Sequence, residues 1–91
     1  MKLDLETIIT YKELLEINKK ETTVNKIIGS LYIGFCGEEI VKDTETDVFI
    51  FAWHKDDETE IPYFTTMLDL KEFNTTKAIN EVIYKQLFNL L

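Results

Sequence analysis

Ninety-one residues build one domain, residues 1–91, and leave no material for a second core. A chain this short buries only about 60–65% of its unfolded surface, so a deep catalytic cleft is hard to build, while 45% hydrophobic and 12% aromatic content is ample for a real core. The formal charge is −7 and all ten basic residues are lysine; without arginine, the commonest bidentate reader of phosphate and guanine, direct nucleic-acid binding is not expected.

Thr10-Tyr11-Lys12-Glu13 has the capping-box pattern, and Ile9 and Leu14 occupy the two positions of a hydrophobic staple. The spacing predicts a helix over 11 to about 20 with Leu14 and Leu15 inward; residues 3 to 9 extend it from an Asp4 cap or form a separate turn. From Lys26 the pattern alternates through Ile27, Leu31, Ile33 and Phe35, a strand that Gly29 and Gly34 weaken or bulge. Gly37 opens a turn, and Ile40-Val41 offers a short further strand. Residues 47 to 54 are the clearest strand, with Phe49, Phe51 and Trp53 on one side and Val48, Ile50 and Ala52 on the other. Apolar character on both sides marks a central strand covered twice, or a sheet face that a partner covers. Lys55 to Glu60 is a polar turn, and residues 61 to 70 read as the next strand, with Pro62 near its start. Asn74, Thr75 or Thr76 caps a last helix carrying Ile79, Val82, Ile83, Leu87, Leu90 and Leu91 at helical spacing. The expected fold is α+β: a three- or four-stranded antiparallel β-meander, flanked in sequence by an N-terminal and a C-terminal helix packed on the sheet.

No run approaches the roughly 18 apolar residues of a membrane span, and Asp4 and Glu6 interrupt the stretch where a signal peptide would be apolar. Cys36 is the single cysteine, which excludes an internal disulfide and a cysteine-based zinc site. A cytoplasmic protein without a cofactor is expected. Eleven isoleucines, ten lysines and five asparagines beside no arginine suggest an AT-rich coding genome, that of a low-GC bacterium, its phage or a mobile element.

The charge is local. Residues 37 to 60 hold nine acids (Glu38, Glu39, Asp43, Glu45, Asp47, Asp56, Asp57, Glu58 and Glu60) against Lys42 and Lys55, a balance of −7; elsewhere eight acids and eight lysines cancel. Were Asp43, Glu45 and Asp47 extended, they would project about 6.6–6.8 Å apart on one face, of the order of the phosphate spacing along a nucleic-acid strand. Such a row suits a basic groove built for nucleic acid; the plain alternative is that acidic turns keep the sheet soluble and its edges unpaired. In a meander the loops before and after strand 47 to 54 lie at opposite ends, roughly 25–27 Å apart, which favours a macromolecular partner over a small ion.

Catalytic chemistry finds little support. His54 with Asp56, Asp57, Glu58 and Glu60 would suit a divalent cation, yet no second histidine or diagnostic spacing accompanies it. Counted from Asp43 as a calcium loop, the sixth and twelfth places hold Val48 and His54, not Gly and Glu. Cys36 and His54 lack a third orienting group. The leading expectation is a non-enzymatic inhibitor that mimics nucleic acid and docks on a protein with a basic surface, such as a nuclease or another nucleic-acid-binding enzyme of a bacterial defence system. Asp43, Glu45, Asp47, Asp56, Asp57, Glu58 and Glu60 would carry the contact, with Trp53 as an anchor. The alternative is a homodimeric accessory or immunity-type protein using its sheet face, a role the stripe Phe49, Phe51 and Trp53 takes only if both helices pack on the opposite side. A small metal-dependent enzyme using His54 is the third class.

Overall fold

The computed structural model describes residues 7–55 and 62–88. The Thr10 hydroxyl accepts the Glu13 N–H at 3.1 Å and opens helix α1, Tyr11–Lys19. The staple residues Ile9 and Leu14 are both fully buried. Glu13 does not return the capping bond; its carboxylate reaches Lys26 across the first strand at 2.9 Å. Leu14 and Ile17 form the buried stripe. Leu15, expected to face inward, is 41% exposed, because it lies about 100° round the helix from Leu14. The helix ends in a Schellman arrangement: Thr22 N–H bonds the Ile17 carbonyl at 3.1 Å and Glu21 N–H the Asn18 carbonyl at 3.3 Å. Glu21 occupies the left-handed position, φ 51°, that glycine usually fills.

Residues 23 to 36 form a hairpin, not the single weakened strand that alternation suggested. Strands β1 (Thr23–Ile28) and β2 (Leu31–Cys36) pair antiparallel with Ile28 opposite Leu31. That leaves Gly29-Ser30 as a two-residue turn, and Gly29 takes the positive φ of 59° that a II′ turn needs at its first central position. Ile40 and Val41 lie in a 3₁₀ turn, Glu39–Val41, with Ile40 88% exposed. They add no strand, because β2 already has a neighbour on each side. Strands β3 (Asp47–His54) and β4 (Phe64–Asp69) complete one four-stranded antiparallel sheet of order β1-β2-β3-β4. Pro62 stands before an edge strand, where its missing N–H costs no ladder bond. The Thr75 hydroxyl accepts the Ala78 N–H at 3.1 Å and caps helix α2, Thr76–Phe88.

Both helices cover the same side of the sheet. Val48, Ile50 and Ala52 of β3 are fully buried beside Ile33 and Phe35 of β2 and Leu68 of β4, and Leu14, Ile17, Ile79 and Ile83 from the helices close over them. Gly37 lets the chain pass directly under the last turn of α1; a Cβ there would meet the Ile17 carbonyl oxygen at 2.5 Å. A buried asparagine fastens the two ends of the fold. The Asn80 Oδ1 accepts the N–H groups of Ile8 at 2.6 Å and Ile9 at 3.2 Å, and its Nδ2 donates to the carbonyls of Ile9 at 2.7 Å and Thr76 at 2.6 Å. The non-helical segment before α1 is thereby satisfied without a strand partner.

Candidate functional site

Alternation sends the other half of every strand to the side away from the helices. The register arranges those residues in four rows: Ile27, Tyr32 and Trp53; then Asn25, Gly34, Phe51 and Thr65; then Thr23, Cys36, Phe49 and Met67; and at one end Asp47 and Asp69. In a chain that is 30% charged, the eleven positions of the first three rows hold no lysine, aspartate or glutamate. The solvated side of an antiparallel sheet is ordinarily polar. Here six of the eleven are Ile, Tyr, Phe, Trp or Met.

The rings form a continuous stack. Centroid separations are 5.5 Å for Tyr32–Trp53, 5.1 Å for Trp53–Phe51 and 5.4 Å for Phe51–Phe49. Gly34 makes the stack lie flat: it sits directly opposite Phe51, whose ring covers it in the space a Cβ would need. Tyr32, Phe49, Phe51, Trp53 and Met67 remain half-buried, and Ile27 on edge strand β1 is 59% exposed. The apolar stripe that the sequence assigned to one strand is therefore shared across the sheet. Tyr32 and Met67 escaped notice, and Ile27 was grouped with Leu31, Ile33 and Phe35 although the register puts it on the other face beside Tyr32. Gly34, a small residue midway along an apolar run, was the signal that an aromatic lies across it.

The face ends in a pair of acids. Asp47 stands opposite Asp69 in the β3–β4 register. Asp47 is 6% exposed and its Oδ2 accepts the Thr44 N–H at 3.0 Å. Asp69 Oδ1 accepts the Lys71 N–H and the Thr46 hydroxyl, each at 2.9 Å. The Lys71 N–H foremost, then the Thr46 hydroxyl, hold the Asp69 carboxyl below its usual range; the charge of Lys71 assists and partial burial opposes them.

The acids singled out from the sequence fall in several places. Asp43 and Glu45 are exposed, but residues 43 to 46 bend and turn rather than run extended, and Asp47 is folded onto its own loop. The phosphate-spaced row therefore does not form. Asp43 and Glu45 instead line, with Glu21, Glu39, Lys19 and Lys42, a groove of about 470 Å³ at the C-terminal end of α1. Asp56, Asp57, Glu58 and Glu60 lie outside the described residues, and with them the carboxylates offered as partners for His54. Trp53 is at the centre of the aromatic stack. Cys36 and His54 pair with Phe49 and Leu31 respectively, which separates them by roughly 17 Å along the strands and puts them on opposite faces. His54 packs its ring against Tyr63 at 5.1 Å. Among the described residues, no three His, Cys, Asp or Glu side chains gather as a metal site, and no helix is long and apolar enough to cross a membrane.

Compared with protein-family models, with curated proteins and with solved structures, the chain matches none.

Proposed function

We propose that the chain is a non-enzymatic interaction domain that takes a protein partner on the open face of its sheet. The observation that carries this is the aromatic-rich surface, uncharged except for Asp47 and Asp69 at one end, left by packing both helices on the other side. The largest exposed apolar patch on a domain is often its contact surface, and Trp and Tyr are among the side chains that most often anchor such surfaces. Ile27→Lys and Thr65→Lys place a charge on this face at exposed positions, so the fold should survive both. Partner capture from the native host should be lost with both variants and kept with Leu15→Lys, which alters the helix side. Equal capture by all three would dismiss the surface.

The acidic segment supports a second reading, an inhibitor that docks on the basic surface of a nuclease or another nucleic-acid-binding enzyme, as a phage or mobile element would deploy against a host defence. Its support is the exposed cluster of Glu21, Glu39, Asp43 and Glu45 around one groove, not a linear mimic of phosphates. Charge reversal of Asp43 and Glu45 should slow association at low salt and flatten its salt dependence. An unaltered association rate in that variant rules this reading out.

A further inference from the structure

We infer that the partner on the open face presents a cationic amphipathic helix, laid along β3 with its apolar side chains on the aromatic rows and a lysine or arginine at the Asp47–Asp69 end. This rests on the open face being a docking surface, and it adds the occupant's shape and the sign of its charge.

Shape follows from the backbone. Strands β2 and β3 have a neighbour on each side, and their N–H and C=O groups point along the sheet rather than out of it. The face therefore offers side chains alone. An extended segment laid across the rings would leave its own N–H and C=O groups buried without partners. A helix satisfies them internally. The same sheet already takes two helices on its other side.

Spacing agrees. Along β3 the open-face positions run Trp53, Phe51, Phe49 and Asp47, about 6.8 Å apart, which puts the acidic row roughly 20 Å from the tryptophan. Apolar residues at i, i+4 and i+8 of a helix recur about every 6 Å on one side, and i+11 or i+12 stands about 17–18 Å along. Three apolar side chains then meet the three uncharged rows, and a long cationic side chain spans the remaining few ångströms.

Charge sets the sign. Among the described strands Lys26 is the single lysine, and it pairs with Glu13 on the helix side. At the acidic end Glu38 joins the two aspartates, because its Oε1 accepts the hydroxyl of Thr23, a residue of the third row, at 3.1 Å. Glu38 and the half-buried Asp69 would meet the cation; Asp47 is too buried for contact and adds its field. Residues 38 to 47 and 69 to 71 together hold six acids against Lys42 and Lys71. Aromatic rings on a sheet also suit single-stranded nucleic acid, but that use needs a positive groove. Here the carboxylates oppose it.

Trp53 is the chain's single tryptophan, so its emission reads the face directly. The probes are synthetic Ala/Gln helices of about 18 residues with three leucines at the i, i+4, i+8 spacing and lysines beyond them. One probe carries the lysines at its amino end and another at its carboxyl end, which samples both directions along β3. The tighter of the two should bind the full chain at least about tenfold better at low salt than its glutamate counterpart, a gap that closes as salt is raised. Replacing its leucines with glutamine should abolish binding. Thr65→Lys and Ile27→Lys should each weaken it at least about tenfold and Glu38→Lys by about threefold to tenfold, with Leu15→Lys unchanged. Equal binding of lysine and glutamate probes, or indifference to Thr65→Lys, overturns the inference. So does a single-stranded oligo-dT that binds more tightly than either lysine probe, or self-association of the wild type that Thr65→Lys abolishes. If neither lysine probe binds while Ile27→Lys and Thr65→Lys still lose a host protein, the helix is overturned and the docking face stands. If that capture is indifferent as well, both fall.

Discussion

The two faces of one sheet are made from alternate residues of the same four strands, yet they have different physical tasks. On the covered face Ile33, Phe35, Val48, Ile50 and Leu68 are buried under two helices whose outer surfaces carry the lysines and glutamates. On the open face residues of similar size stay half-exposed and pack mainly on one another, as a row of stacked rings. The first arrangement stabilises the fold of a single copy. The second gives that fold little and, on the proposed reading, serves a partner. An apolar residue on these strands is then expected to report on stability or on binding according to the face it takes.

The sharpest way to break this comparison is to truncate one phenylalanine on each face. Phe35→Ala removes a fully buried ring and should cost about 3–5 kcal/mol. Phe49→Ala should cost only about 1–2 kcal/mol while abolishing association. Urea unfolding of the two variants decides the matter, and equal losses would mean that the open face is covered within the monomer. Next in size is Asn80→Ala, which leaves the Ile8 and Ile9 amides buried without their acceptor. A loss of about 2–4 kcal/mol in urea unfolding is expected. A smaller effect of opposite sign follows from Glu21→Gly, which relieves the left-handed position at φ 51°. It should stabilise the fold by about 1 kcal/mol, read as a higher Tm, and leave the open face unaltered.

The smallest effect is a pH dependence at the acidic end of the open face. Asp69 is held below the ordinary carboxylate range by the Lys71 N–H first and the Thr46 hydroxyl second. A depressed folded-state pKa means that the unfolded chain binds the proton more readily. The stabilisation is therefore complete above about pH 4, the ordinary aspartate value, and is lost as pH falls from there through the lowered folded-state value. Asp69→Asn should remove that dependence from acid unfolding curves. An unchanged acid limb in the variant would show that the Lys71 and Thr46 bonds do not survive in solution.

What the sequence made legible was whatever depends on near neighbours in the chain. Thr10 and Thr75 cap their helices because a hydroxyl reaches an N–H three residues on. The strand from Asp47 to His54 alternates in sequence as it does in space. The hairpin at Gly29-Ser30 was equally local, and a Gly-Ser pair between apolar runs is a turn signal. It was obscured because Ile27 keeps the odd-numbered spacing of Leu31, Ile33 and Phe35, although the register turns it to the opposite face. Asn80 was not legible from its neighbours, since its partners beyond α2 lie 71 and 72 residues away. Its one trace is a polar residue between Ile79 and Ile83, within the apolar stripe of α2. The site was half legible: Phe49, Phe51 and Trp53 were visible as a stripe. Which side the helices would take was not, because both sides of that strand are apolar. The expected extended row failed at Asp47, whose carboxylate satisfies the Thr44 N–H inside its own turn.

The Asn80 contact also bears on the order of assembly. Every strand pairing in the meander joins sequence neighbours, so the sheet can zip up through short closures. The asparagine joins groups 71 and 72 residues apart, and it has nothing to grip until α2 has formed. The segment before α1 should accordingly dock last and detach first. Native-state hydrogen exchange would show it as Ile8 and Ile9 amides opening at a lower free energy than those of β2 and β3, a fraying clasp on an otherwise closed sheet.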